Sequence, residues 1–182
     1  MKSLKAAGVA LAAGAALALT GCSAGQITQT SDQVAAVDGA SAATENGEVA
    51  VQDVTVVLAE DGTAALKFTA TNQDTSMKDH TLQNATVDGQ TVQLENSGAI
   101  KYNCALVADS AEGLERMPQD DDNCIVYTET ALNNEGFAYG GNLPVKFTFD
   151  TGTVDVTATV SAPTLPSGQV NRETGDGGNA DH

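Results

Sequence analysis

Residues 143–160 read Leu-Pro-Val-Lys-Phe-Thr-Phe-Asp-Thr-Gly-Thr-Val-Asp-Val-Thr-Ala-Thr-Val. Val145, Phe147 and Phe149 alternate with Lys146, Thr148 and Asp150, and Val154, Val156, Ala158 and Val160 alternate with Thr153, Asp155, Thr157 and Thr159. Successive side chains of an extended chain point to opposite faces, so a period of two with β-branched residues marks a strand with one face buried. Thr151-Gly152 is placed to turn one such strand into the next. The same alternation appears upstream, where Leu66, Phe68 and Ala70 are interleaved with Lys67, Thr69 and Thr71. Asp61-Gly62 and Asp88-Gly89 each lie between apolar runs, and Asp-Gly suits the positive backbone angles of a tight hairpin.

Extended in this way, the pattern predicts strands over 49–59, 64–72, 80–87, 90–95, 99–107, 123–130, 144–150 and 153–161. Seven or eight short strands in one domain give an all-β fold, a single sandwich of the immunoglobulin or cupredoxin-like kind spanning 49–162. Ile100, Tyr102, Cys104 and Leu106 share one parity, which directs Cys104 inward. Residues 109–123 form the one long loop, with a helical turn around Ala111–Arg116. Residues 22–48 and 163–182 are rich in Ser, Ala, Gly, Thr, Asn and charge with little to bury. They read as a flexible N-terminal tether and a disordered C-terminal tail.

The first 21 residues have the order of an export signal. Lys2 and Lys5 precede an apolar run from Ala6 to Thr20, too short for the roughly 20 residues a bilayer span needs. Leu19-Thr20-Gly21-Cys22 matches the bacterial lipobox, in which the cysteine receives a diacylglyceryl group and becomes the new N-terminus. Each buried methylene contributes about 0.8 kcal/mol, so two or more acyl chains hold durably where one binds reversibly. The expected location is the outer face of the cytoplasmic membrane, with a lipid anchor on Cys22 and no spanning segment.

Removal of residues 1–21 leaves six basic against 24 acidic residues, a formal charge of −18. Such a surface repels nucleic acid and anionic headgroups. Trp is absent and aromatic residues are few, which argues against a large stacking surface. With Cys22 committed to lipid, Cys104 and Cys124 remain, and an even number outside the membrane suggests a disulfide. A thiolate metal site would call for closer cysteine spacing and histidine neighbours that the segment lacks.

Several stretches resemble a known family. Cys22-Ser23-Ala24-Gly25-Gln26-Ile27-Thr28-Gln29-Thr30, followed by Gln33-Val34-Ala35-Ala36-Val37-Asp38-Gly39, is similar to the start of mature LpqE-type lipoproteins of mycobacteria and corynebacteria. Val54–Asn72, ending in Thr71-Asn72, resembles the opening of their domain, and Leu143–Val160 resembles its closing hairpin. LpqE-type proteins are in turn similar to the PCu(A)C copper chaperones, β-sandwiches that hold copper(I) with His and Met side chains. Where that pattern would place a ligand His after Val92-Gln93-Leu94, this chain continues Glu95-Asn96-Ser97, and it contains no His-x-Met pair. The resemblance therefore implies an accessory protein associated with the cytochrome bcc-aa3 respiratory supercomplex, with no resident cofactor. A copper(I) chaperone or binding protein is the alternative.

Few residues qualify as site candidates. Met77 and His80, three apart at the start of the third expected strand, are the one pair that could contribute to a metal site. An incidental pair on a solvated loop is the plainer reading. Met117 in the long loop reads as packing, His182 as tail, and Asp120-Asp121-Asp122 as a solvated acidic loop or a docking contact. No catalytic residues are expected: two histidines without a neighbouring nucleophile, and no phosphate-binding loop, offer catalysis little.

Overall fold

The computed structural model describes residues 39–119 and 123–164. Within them the chain is all-β with one short helix: β1 (Ala40–Ala43), β2 (Val49–Leu58), β3 (Ala64–Asn72), β4 (Leu82–Val87), β5 (Gln90–Thr91), β6 (Gln93–Leu94), β7 (Ala105–Asp109), α1 (Ala111–Glu115), β8 (Ile125–Ala131), β9 (Asn142–Phe149) and β10 (Gly152–Ser161).

The strands form one hydrogen-bonded path in the order β5-β4-β9-β10-β2-β3-β7-β8-β6, with β1 pairing to β2 beside it. The ends of the path, β5 and β6, are separated in sequence by Val92 alone. The path therefore wraps round on itself, as in a barrel-like sandwich. Val92 is 3% exposed and its N–H donates to the Ala85 carbonyl, so the expected strand 90–95 divides where the chain leaves β4 for β8.

The alternation read from 143–160 is realised. Val145, Phe147, Phe149, Val154, Ala158 and Val160 are buried, and the β9–β10 register runs from Gly152↔Phe149 to Thr159↔Asn142. Leu66, Phe68 and Ala70 bury the facing side of β3. Phe68 meets Phe147 edge to face with ring centroids 4.8 Å apart, an arrangement that aromatic quadrupoles favour. Asp88 and Gly89 both take positive φ, 49° and 82°, in the two-residue turn that joins β4 to β5.

Two further expectations change. The tether predicted over 22–48 meets a strand at residue 40: β1 runs antiparallel to β2, with Ala40 opposite Val54 and Ala43 opposite Ala50. Its Ala and Ser side chains carry little hydrophobic signal, so the strand depends on backbone pairing and on Gly39. A Cβ at Gly39 would lie 2.5 Å from the Asp53 Cα. Residues 22–38, and all but Pro163 and Thr164 of the tail predicted over 163–182, lie outside the described residues.

The strand predicted over 99–107 begins only at Ala105. The Cys104 N–H donates to the Lys101 carbonyl, and Asn103 takes φ 62°, so a turn interrupts the parity and leaves Tyr102 40% exposed. Cys104 is still mostly buried, at 9% exposure. It is disulfide-bonded to Cys124, with Cα atoms 5.2 Å apart. The bridge joins the entrances of the parallel strands β7 and β8, which the long loop and α1 connect. Ser110 caps α1, its side chain accepting from the Gly113 N–H.

Candidate functional site

The most chemically distinctive cluster lies where three connections converge: β1 to β2, β3 to β4 and β9 to β10. Its anchor is Asn72. This residue continues the inward parity of Leu66, Phe68 and Ala70 but is polar and 1% exposed. Its Nδ2 donates to the carbonyls of Lys78 (2.7 Å) and Ile100 (2.8 Å), and its Oδ1 accepts from the Asp74 N–H (3.0 Å). The amide thereby ties the 73–80 connection to the core, where unpaired carbonyls would otherwise be costly.

Asp74 and His80 are presented by that connection. Asp74 is 3% exposed and accepts from the Ser76 hydroxyl (2.6 Å) and the Ser76 N–H (2.7 Å). These two donors, with His80 adding to them, hold its carboxyl below the ordinary aspartate range. His80 is 4% exposed, paired through its backbone to Ile100 in both directions. Its Nε2 lies 3.2 Å from Asp74 Oδ2 and its Nδ1 lies 3.2 Å from Asp150 Oδ2. Asp150, in the β9–β10 turn, also accepts from the Thr81 N–H at 2.8 Å. Burial works against ionisation of Asp150, but the Thr81 and His80 contacts outweigh it and hold this carboxyl low as well.

Glu48 completes the cluster. One oxygen is held by the Asn46 amide (2.6 Å) and the Thr151 hydroxyl. Glu48, Asp74 and His80 each bring one ligand-type atom into a space where all three lie within 4.8 Å of one another.

A second feature is a groove of about 620 Å3 whose lining includes Asp53, Lys67, Asp109, Arg116 and Met117. Its cations are already engaged, Lys67 with Asp53 at 2.7 Å and Arg116 with Glu112 at 2.9 Å and the Thr164 carbonyl. Burial raises the pKa of Asp109 above the ordinary range, partly offset by the Ser110 N–H. A Cβ at Gly113 would overlap that carboxyl, so glycine is what allows α1 to lie over it.

The structure separates the sequence candidates. Met77 takes φ 58° and is 70% exposed, whereas His80 is buried between two carboxylates, so the two do not form one ligand set and His80 does not lie on a solvated loop. Backbone pairing with Ile100 and the Asn72 amide draw residue 80 inward while residue 77 stays at the turn. Met117 is half-buried in the groove wall. Cys22, Asp120-Asp121-Asp122 and His182 lie outside the described residues. Glu48, Asp74, Asp150 and Asn72 escaped the sequence reading, because acids are abundant in this chain and no spacing singles these out. Asn72 alone carried a signal, a polar residue on the buried parity of β3. Neither a scan against protein-family models nor a search of curated proteins finds a match for this chain.

Proposed function

We propose that this chain is a lipid-anchored, non-enzymatic accessory protein on the outer face of the cytoplasmic membrane, associated with the cytochrome bcc-aa3 respiratory supercomplex. Support for the anchor comes from Leu19-Thr20-Gly21-Cys22 and the export signal before it, and support for the partner comes from the resemblance to LpqE-type lipoproteins. The observation that carries the choice over copper(I) chaperoning is the placement of His80. Copper(I) favours thioether and thiolate ligands, here alongside imidazole. Both His80 nitrogens face carboxylates, Met77 lies at the surface, and Cys104 and Cys124 are bonded to each other.

Lipid attachment raises the effective concentration of the domain at the membrane, so a modest protein interface suffices for occupancy. The acidic surface favours a partner face rich in Lys and Arg, with an attraction that salt screens. The test is recovery of the tagged full chain from membranes in mild detergent. Cytochrome bcc and oxidase subunits should copurify, and Met77→Ala should change neither that recovery nor the copper content of the oxidase. Copper-poor oxidase from the Met77→Ala strain, with the complex still bound, would establish the chaperone reading instead.

A further inference from the structure

The contacts of His80 bear on more than the accessory role. A neutral imidazole has one N–H, yet both nitrogens of this buried ring face carboxylate oxygens at 3.2 Å. Ser76 donates to both Asp74 oxygens and the Thr81 N–H donates to Asp150, so acceptor oxygens from two separate connections converge on one ring. A single N–H serves one of these contacts, and a cation beside the other nitrogen would serve the second.

We propose that Glu48, Asp74 and His80 bind a divalent transition-metal ion of the zinc type, with Asp150 as the outer carboxylate that orients the histidine. In this arrangement Nδ1–H donates to Asp150 Oδ2, which fixes the tautomer and leaves the Nε2 lone pair directed at Asp74. A histidine ligand whose other nitrogen donates to a carboxylate is the usual outer arrangement of zinc sites. Zinc–nitrogen and zinc–oxygen bonds are about 2.0–2.2 Å, so ligand atoms around one ion lie roughly 3–4 Å apart. Nε2 and Asp74 Oδ2 are already 3.2 Å apart, and all three ligand atoms lie within 4.8 Å, so a small contraction closes the site.

The surroundings orient the ligands. Ser76 and Asn72 position Asp74, Asn46 and Thr151 position Glu48, and the Ile100 backbone positions His80. One imidazole and two carboxylates suit zinc or manganese. They lack the thioether that copper(I) selects and the all-oxygen shell of calcium. A +2 ion also compensates the carboxylates gathered around the ring, where Asp74 and His80 are buried. Because the ligands come from separate connections, the ion would fasten the β1–β2 turn to the β3–β4 connection, with the β9–β10 turn held behind the histidine.

The experiment uses the full chain in detergent, stripped with a chelator and titrated with Zn2+ alone against a competing chromogenic chelator. Wild type should retain one equivalent, its melting temperature should rise with Zn2+ and not with Mg2+, and the 15N resonance of His80 Nε2 should shift to the metal-bound range. Glu48 is half-buried at a turn, so Glu48→Gln should still fold, and it should weaken Zn2+ binding at least about tenfold. His182→Ala should leave binding unchanged. Less than one retained equivalent, an equal response to Mg2+, no change at His80 Nε2, or full affinity in Glu48→Gln would each overturn the site.

Discussion

Replacing Asn72 tests whether one amide organises the 73–80 connection. Asn72→Ala deletes the two bonds to the Lys78 and Ile100 carbonyls and the bond from the Asp74 N–H, all at a residue 1% exposed. Three bonds at roughly 1 kcal/mol each, plus the penalty of stranding buried partners, give a loss of about 4 kcal/mol. Domains of this size have only about 5–15 kcal/mol in total, so the variant should melt far below wild type. Asn72→Asp separates hydrogen bonding from shape. Its first oxygen can still accept from Asp74, but the second meets two carbonyl oxygens where Nδ2 had donated at 2.7 and 2.8 Å. An ionised carboxylate is repelled there, and protonation restores one of the two bonds. The native state therefore raises the pKa of the introduced acid. Its stability relative to wild type should be lowest at neutral pH and recover as pH falls toward about 4, the ordinary aspartate value. Urea unfolding of each variant beside wild type at pH 7 and pH 4.5 measures this. An Asn72→Asp protein as stable as wild type at pH 7 would refute the donor role of Nδ2, and with it the account of how the connection is held.

Further outcomes follow from other contacts. Cys104→Ser or Cys124→Ser should lower stability by about 3 kcal/mol in the chain-entropy model, given a separation of 20 residues; equal denaturation midpoints for wild type and variant would contradict that. Gly39→Ala should detach β1, because its Cβ would lie 2.5 Å from the Asp53 Cα, so amide exchange should accelerate at Ala42 and Ala43 while the β9–β10 amides stay protected. Asp74, Asp150 and Asp61 have lowered pKa values in the fold, so their contributions are full above about pH 4 and are lost as pH falls through those values. Asp109 is raised by burial and works the other way: Asp109→Asn should raise the melting temperature at pH 7, with the difference fading below pH 4. Cys22→Ala should release the protein from washed membranes lacking its partners; continued tight binding would sink the lipoprotein assignment.

How much was legible depended on whether side chains or backbone carried the information. β9, β10 and β3 were readable because each buries alternate large side chains, and Asp88-Gly89 was readable because its turn needs two positive φ angles. β1 was not, since Ala40–Ala43 is held by main-chain pairing and a close approach at Gly39, which leaves no hydrophobic period. The division of 90–95 into β5 and β6 was hidden for a related reason. One buried residue, Val92, separates the two pairings, and nothing local says that its neighbours bond to opposite ends of the path. His80 was visible as a candidate, but with the wrong neighbour. Sequence proximity suggested Met77, whereas the ring's partners are six residues away at Asp74 and 70 away at Asp150. Such long-range convergence leaves no spacing to read.

The position of β1 also constrains how the proposed lipoprotein could meet a partner. If Cys22 carries lipid, the chain available between the anchor and the first paired residue, Ala40, is 17 residues and not the full stretch to residue 48. A linker of that length reaches at most about 60 Å fully extended, and a coil of that length averages roughly 20–25 Å. Any partner face engaged by this domain should therefore lie within a few tens of Å of the bilayer surface. Within that shell such a linker would help association, since effective concentration falls steeply once a linker exceeds the distance it must span. β1 takes up this length with small side chains, Ala40 and Ala42 packing half-buried against the core. Lengthening the segment before Gly39 by a flexible insert of about 20 residues should weaken copurification with the membrane complex while leaving the domain's melting temperature unchanged. Unchanged recovery would mean that the interface holds without help from the anchor.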